Sequence, residues 1–198
     1  GIESTCALTA DGTAYCWGYD GYGQLGDGTP GNPTLAPAAV SGGLTFAQID
    51  TEYYSTCAVA TDGAAYCWGY NGGGQIGDGT MTQRLVPTAV SGGLTFTSVD
   101  VGTHYACGVT TGGEGYCWGN NAYGDLGDGT TTQRLVPTVV SGGLAFASID
   151  AGRNYTTCGV TTGGEAYCWG RNEWGQVGDG SWDTSGTIQV LAPSAVLP

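Results

Sequence analysis

The chain has 198 residues, 39 of them Gly, with 40% apolar and only 11% charged; eight Cys, six Trp and twelve Tyr set it apart from low-complexity sequence and favour short strands joined by many turns. A formal net charge of -13, with four Arg, one His and no Lys, repels phosphate backbones and anionic lipid and rules out lysine chemistry and a multi-histidine metal centre. No apolar run approaches bilayer-spanning length, and the chain opens at Gly1 with no Met and no signal-like segment, as expected of a mature or excised chain.

Taken in chain order, the sequence repeats with a period of 50 or 51 residues. The approximate units are 1–44, 45–94, 95–144 and 145–198, together one repeat domain. The first unit carries Cys6 and Cys16, then Tyr15-Cys16-Trp17-Gly18, a glycine-rich turn ending in Gly26-Asp27-Gly28-Thr29, and Pro37 before a short Val-containing run. The second repeats this from Phe46 through Cys57, Cys67 and Pro87. The third runs from Phe96 through Cys107, Cys117 and Pro137, and the fourth from Phe146 through Cys158, Cys168 and Pro193. Only the first lacks a preceding Phe-containing strand.

No glycine-free stretch holds a helical apolar pattern for three turns. Leu94, Phe96 and Val99 read as a half-buried strand. Cys107 with Val109, and Tyr116 with Trp118, read as further strands separated by turn residues. Three or four short strands per unit is the content of a propeller blade, and the period is too long for the coils of a parallel β-helix.

The cysteine spacing is informative. A three-residue hairpin loop at Ala10-Asp11-Gly12, with Gly12 left-handed, sets Thr9 opposite Thr13 and Cys6 opposite Cys16. A two-residue loop would leave the sulfurs on opposite faces. The natural pairing is therefore Cys6–Cys16, Cys57–Cys67, Cys107–Cys117 and Cys158–Cys168. Nine intervening residues and no His partner fit zinc poorly. Disulfides imply an extracellular or cell-surface setting.

The run Cys67 to Thr80, Cys-Trp-Gly-Tyr-Asn-Gly-Gly-Gly-Gln-Ile-Gly-Asp-Gly-Thr, followed by Arg84-Leu85-Val86-Pro87 and Val90, resembles the regulator of chromosome condensation repeat. The signature recurs at 16–40, 117–140 and 168–196. The resemblance implies an all-β fold of β-propeller-type blades, each a four-stranded antiparallel sheet. Family propellers usually have seven blades, so four units supply about half a ring. The chain is then either a four-bladed ring with an unusual closure or an open arc, and the expectation is an open arc completed by neighbouring subunits. The family's nuclear exchange function does not carry over to so acidic and cysteine-rich a chain, and secreted bacterial members are closer in character.

No catalytic constellation is present, and neither a metal nor a cofactor is expected. His104 replaces Tyr54 and Tyr155 of other units and reads as a surface or packing residue. Asp27, Asp78, Asp128 and Asp179 in Gly-Asp-Gly read as turn residues, with calcium the alternative. Trp17, Trp68, Trp118 and Trp169 read as packing between blades. Tyr22, Tyr123 and Trp174 occupy a loop where the second unit has Gly73, and Trp182 lies in a longer fourth-unit loop. These four are the candidate binding residues. Asn154-Tyr155-Thr156 is a glycosylation sequon. The favoured function is an extracellular structural protein assembling head to tail into a ring, tube or filament. The alternative is a secreted protein- or glycan-binding module, an inhibitor or adhesion domain. The expected partner is the chain itself, or another protein or glycan, with no nucleic acid and no membrane insertion.

Overall fold

The computed structural model describes residues 3–181 and 189–197. Alternating side chains and frequent glycine turns give strands and no helix among them. The first sheet is β1 (Ser4–Leu8), β2 (Ala14–Asp20) and β3 (Gly31–Ala39). The second is β4 (Phe46–Glu52), β5 (Ser55–Ala60), β6 (Ala65–Gly69) and β7 (Arg84–Ala89). The third is β8 (Phe96–Val101), β9 (Tyr105–Thr110), β10 (Gly115–Gly119) and β11 (Arg134–Val139). The fourth is β12 (Phe146–Ala151), β13 (Thr156–Thr161), β14 (Ala166–Arg171) and β15 (Gln189–Ala195). Each is an antiparallel blade in simple sequence order. Among the described residues the first has three strands, β1 taking the place that β5, β9 and β13 take in the others.

The central hairpins follow the register their turns dictate. Thr9 and Thr13 close the first turn, with Gly12 at φ 83°. Cys6 then faces Cys16, and Cys57, Cys107 and Cys158 face Cys67, Cys117 and Cys168. All four pairs are disulfide-bonded with Cα atoms 4.0–4.1 Å apart. The strand expected from Leu94 begins instead at Phe96. Leu94 precedes it in the turn and packs, half-buried, on the core beneath.

Blades pack in order, β1 on β4, β4 and β5 on β8, and β8 and β9 on β12. Their shared cores join Phe96, Val99 and Trp118 to Cys57 and Ile76, and Phe146 and Trp169 to Val109 and Leu126. Trp68, Trp118 and Trp169 are fully buried. Each indole Nε1–H donates across the seam to a carbonyl of the preceding blade, at 2.8–2.9 Å: Trp68 to Gln24, Trp118 to Gln75, Trp169 to Asp125. Trp17 departs from the expected interblade packing. No other blade among the described residues packs on that side of it, and it is partly exposed. The four blades thus form an open arc.

Candidate functional site

One end of the blades carries a run of aromatic rings. Two positions of each unit build it. The residue three before the first Cys of the hairpin is Tyr54, His104 or Tyr155. The residue after Trp-Gly is Tyr19, Tyr70, Asn120 or Arg171. The hairpin register brings these together. The carbonyls of Glu3, Tyr54, His104 and Tyr155 accept the N–H of Tyr19, Tyr70, Asn120 and Arg171, at 2.8–2.9 Å. Gly69, at φ 96°, is required here, since a Cβ would stand 2.4 Å from the Tyr54 carbonyl oxygen.

The rings then touch from blade to blade. Tyr22 lies 4.7 Å from Tyr54, 5.2 Å from Tyr70 and 6.4 Å from Tyr19, between ring centroids. Tyr53 is 4.2 Å from Tyr54 and 5.6 Å from His104. His104 is also 5.7 Å from Tyr70 and 6.4 Å from Tyr155, which is 5.1 Å from Tyr123. Arg171 closes the run with its guanidinium 5.2 Å from the Tyr123 ring centroid. All these rings are half-buried. Tyr53 and Tyr155 adopt positive φ, 52° and 61°, to turn the chain here. Burial lowers the His104 pKa and raises those of the Tyr54 and Tyr155 phenols. His104 is thereby kept towards its neutral form, and the charge of Arg171 is met by Glu173.

The sequence candidates divide between locations. Tyr22 and Tyr123 belong to the ridge. Trp174 does not: among the described residues its ring meets none of the ridge rings, it lines a cleft with Gly175, Gly178 and Gly180, and it is 84% exposed. Trp182 lies outside the described residues. Tyr19, Tyr53 and Tyr70 had not been singled out. Counting outward from Cys57 opposite Cys67 would have placed Tyr54 beside Tyr70. Asn154 is exposed next to the ridge, and the hydroxyl of Thr156 donates to the Arg171 carbonyl at 2.9 Å.

The Gly-Asp-Gly carboxylates are engaged in turns. Asp78 Oδ1 accepts from the N–H and hydroxyl of Thr80, and its Oδ2 accepts from Arg84 Nε at 2.6 Å. Asp128 does the same with Thr130 and Arg134, at 2.8 Å from Arg134 Nε. Burial alone would raise both pKa values, but these hydrogen bonds hold them below the ordinary range. Among the described residues no group of three or more His, Cys, Asp or Glu is placed to hold a metal ion.

A second polar group lines the inner edge of the arc, in a cleft of about 230 Å³ among Asp50, Glu52, Asp100, Asp150 and Arg153. Asp50 accepts from Val101 N–H at 2.9 Å, and Asp100 from Ala151 N–H at 2.8 Å. Each carboxylate thereby ties its inner strand to that of the next blade. Burial pushes Asp100 up to about 7, with Asp50 and Asp150 adding to the effect.

The regulator of chromosome condensation (RCC1) repeat family matches residues 62–109 and 112–158 by one profile, and 1–24, 48–75 and 146–176 by a second. The chain belongs to this family. It is similar to the ultraviolet-B receptor UVR8 of Arabidopsis thaliana, 35% identical over 88 residues, which is 43% of this chain and 20% of the receptor. It is also similar to the human E3 ubiquitin-protein ligase HERC2, 37% identical over 82 residues, which is 40% of this chain but 2% of the ligase. Human WBSCR16 superposes with TM-score 0.85 at 25% identity over 99% of this chain. Yeast RCC1 (Prp20), solved bound to Kap60, superposes with TM-score 0.83 at 22% identity over 99%. The chain spans 51% and 47% of those two structures, and no more than a fifth of the receptor and ligase. What it shares with them is the RCC1-type propeller architecture.

Proposed function

We propose that the chain is a protein-binding propeller module of an oxidising, extracellular or cell-surface setting, and that it binds through the tyrosine–histidine ridge. The observation that carries this reading is the unbroken contact of eight rings, from Tyr19 to Tyr123, across all four blades. Stiff aromatic rings with polar tips give large contact area at little entropic cost. The Kap60 complex of a fold relative supports a role in binding proteins. Four hairpin disulfides support the setting. A chain of net charge -13 favours a partner with a basic rim.

The test is comparative affinity capture from the extracellular fraction of the source. The baits are the wild type, a Tyr53→Ala/Tyr155→Ala variant, and a control variant, Val86→Ala/Val136→Ala, on the outer strands. A partner held by wild type and control but lost by the ridge variant supports the reading. Retention by all three baits overturns it.

A second reading is head-to-tail self-assembly into a ring, tube or filament. The half-exposed Trp17, whose three counterparts are buried in seams, favours it.

A further inference from the structure

We infer that the two ends of the arc are the two halves of one interface, and that the first blade of a second copy docks on the fourth blade through Leu35 and Trp17. This rests on the self-assembly reading and names its contact site.

The three internal seams repeat three contacts. The first is the indole bond described above, in which Trp68, Trp118 and Trp169 lie against Gly26, Gly77 and Gly127. Their Nε1 atoms are 2.6–2.7 Å from where a Cβ would stand on those glycines. The second is a leucine of the outermost strand lying over a glycine of the preceding blade. Leu85 covers Gly23, Leu135 covers Gly74 and Leu191 covers Gly124, with leucine Cδ2 2.5–2.7 Å from the missing Cβ. The third is a backbone bond to that same leucine. Gly28 N–H donates to the Leu85 carbonyl, Gly79 to Leu135 and Gly129 to Leu191, at 2.8–3.0 Å.

The fourth occurrence of each contact is split between the first and fourth blades. In the first blade the leucine is Leu35, 93% exposed, and the indole is Trp17. In the fourth blade the matching glycines are Gly175, Gly178 and Gly180. Together with Trp174, Ser181 and Leu197 they line a cleft of about 550 Å³. Trp174 and Leu197 are 84% and 60% exposed. An apolar knob and a glycine-floored cleft thus lie at opposite ends of the arc.

The geometry assigns Leu35 of the incoming copy to Gly175, its carbonyl to the Gly180 N–H, and its Trp17 indole to the Gln176 carbonyl beside Gly178. Such a contact is heterologous, so it continues from copy to copy until a ring closes. Among the described residues the first blade has three strands against four in the others, which makes this junction weaker than the internal seams. Mutual repulsion at net charge -13 weakens it further in dilute buffer, and salt screens that repulsion.

Sedimentation velocity of the 198-residue chain from about 1 to 200 µM, in 50 and 500 mM salt, tests the inference. The variants are Leu35→Asp, at a side chain that touches almost nothing in its own copy, and Leu197→Asp at the rim of the cleft. The expected result is association of wild type that strengthens with salt, with each variant monomeric. An equimolar mixture of the two variants should give heterodimers and nothing larger, because it leaves one intact knob and one intact cleft. Wild-type association that neither substitution changes overturns the docking site while leaving self-assembly standing. A wild type that stays monomeric throughout overturns both. Trp174→Ala, at an exposed side chain, provides a second test of the cleft and should also weaken association.

Discussion

Arg153 of the fourth blade pairs with Glu52 of the second, Nη2 donating to Oε2 and Nε facing Oε1, each at 2.9 Å. The pair reaches over the third blade and fixes the opening of the arc at its inner edge. Arg153 is largely exposed and Glu52 is mostly buried, so the two substitutions should differ. Arg153→Ala leaves a buried carboxylate without its cation and should cost about 1 kcal/mol. A double Arg153→Ala/Glu52→Gln variant should recover part of that loss. Urea unfolding midpoints of the three proteins check this.

The buried carboxylates predict an unusual pH dependence. Asp100 and Asp125 titrate at about 7 in the folded chain, both because of burial. A carboxyl with a raised folded pKa holds its proton longer folded than unfolded. Its contribution is therefore greatest below the unfolded pKa and is lost as pH rises towards 7. Asp78 and Asp128, with lowered values, act oppositely and lose their contribution as pH falls below the ordinary carboxylate range. Thermal stability should therefore peak between about pH 4 and 5. Asp100→Asn keeps an acceptor for the Ala151 N–H and should flatten the decline towards neutral pH.

The third unit has Asp125 where the others have Gln24, Gln75 and Gln176. Those glutamine Oε1 atoms accept the N–H of Tyr22, Gly73 and Trp174 at 2.8–3.0 Å. Asp125 is one methylene shorter, and both its carboxylate oxygens are buried with no hydrogen bond. Asp125→Gln should restore the turn and remove a buried acid, raising stability at pH 7 by about 1 kcal/mol. A higher melting temperature than wild type is the expected reading.

The same side chain should weigh differently at the end and in a seam. Trp118→Ala empties a fully buried site and removes a cross-blade donor, which should cost about 3–5 kcal/mol. Trp17→Ala should cost less, about 1–2 kcal/mol, because its ring is already partly exposed and makes no cross-blade bond among the described residues. Chemical denaturation of both variants separates the two cases.

Each disulfide closes a loop between cysteines ten residues apart. In the chain-entropy picture each contributes about 2.5–3 kcal/mol. A native protein should show no thiol reactive towards Ellman's reagent. A Cys57→Ala/Cys67→Ala variant should unfold at lower urea, with the other three bridges intact by mass.

Contacts within one unit were readable in the sequence. The turn at Ala10-Asp11-Gly12 fixes the pairing of Cys6 with Cys16, because register in a hairpin follows from its loop. The packing role of Trp68, Trp118 and Trp169 followed from their recurrence. The different state of Trp17 did not, since its local sequence is that of the others and burial of this indole depends on contacts from outside its own unit. The Glu52–Arg153 pair joins residues 101 apart with no repeating pattern. Trp174 was grouped with Tyr22 and Tyr123 by alignment of units. In the structure it lines a cleft with Gly175, Gly178 and Gly180 instead of joining the ridge. Asp78 and Asp128 could have been matched to Arg84 and Arg134, which recur at the same offset of six.

Because three seams floored by glycine in the same places join the units, those repeated contacts do not record how many units there are. Gain or loss of a whole fifty-residue segment by gene duplication or deletion leaves the same terminal surfaces, whereas a cut inside a segment strands an indole without its carbonyl. Copy number in such a chain is thus free to drift, and recombination should be tolerated only at the Ser-Gly-Gly links, where one unit hands over to the next.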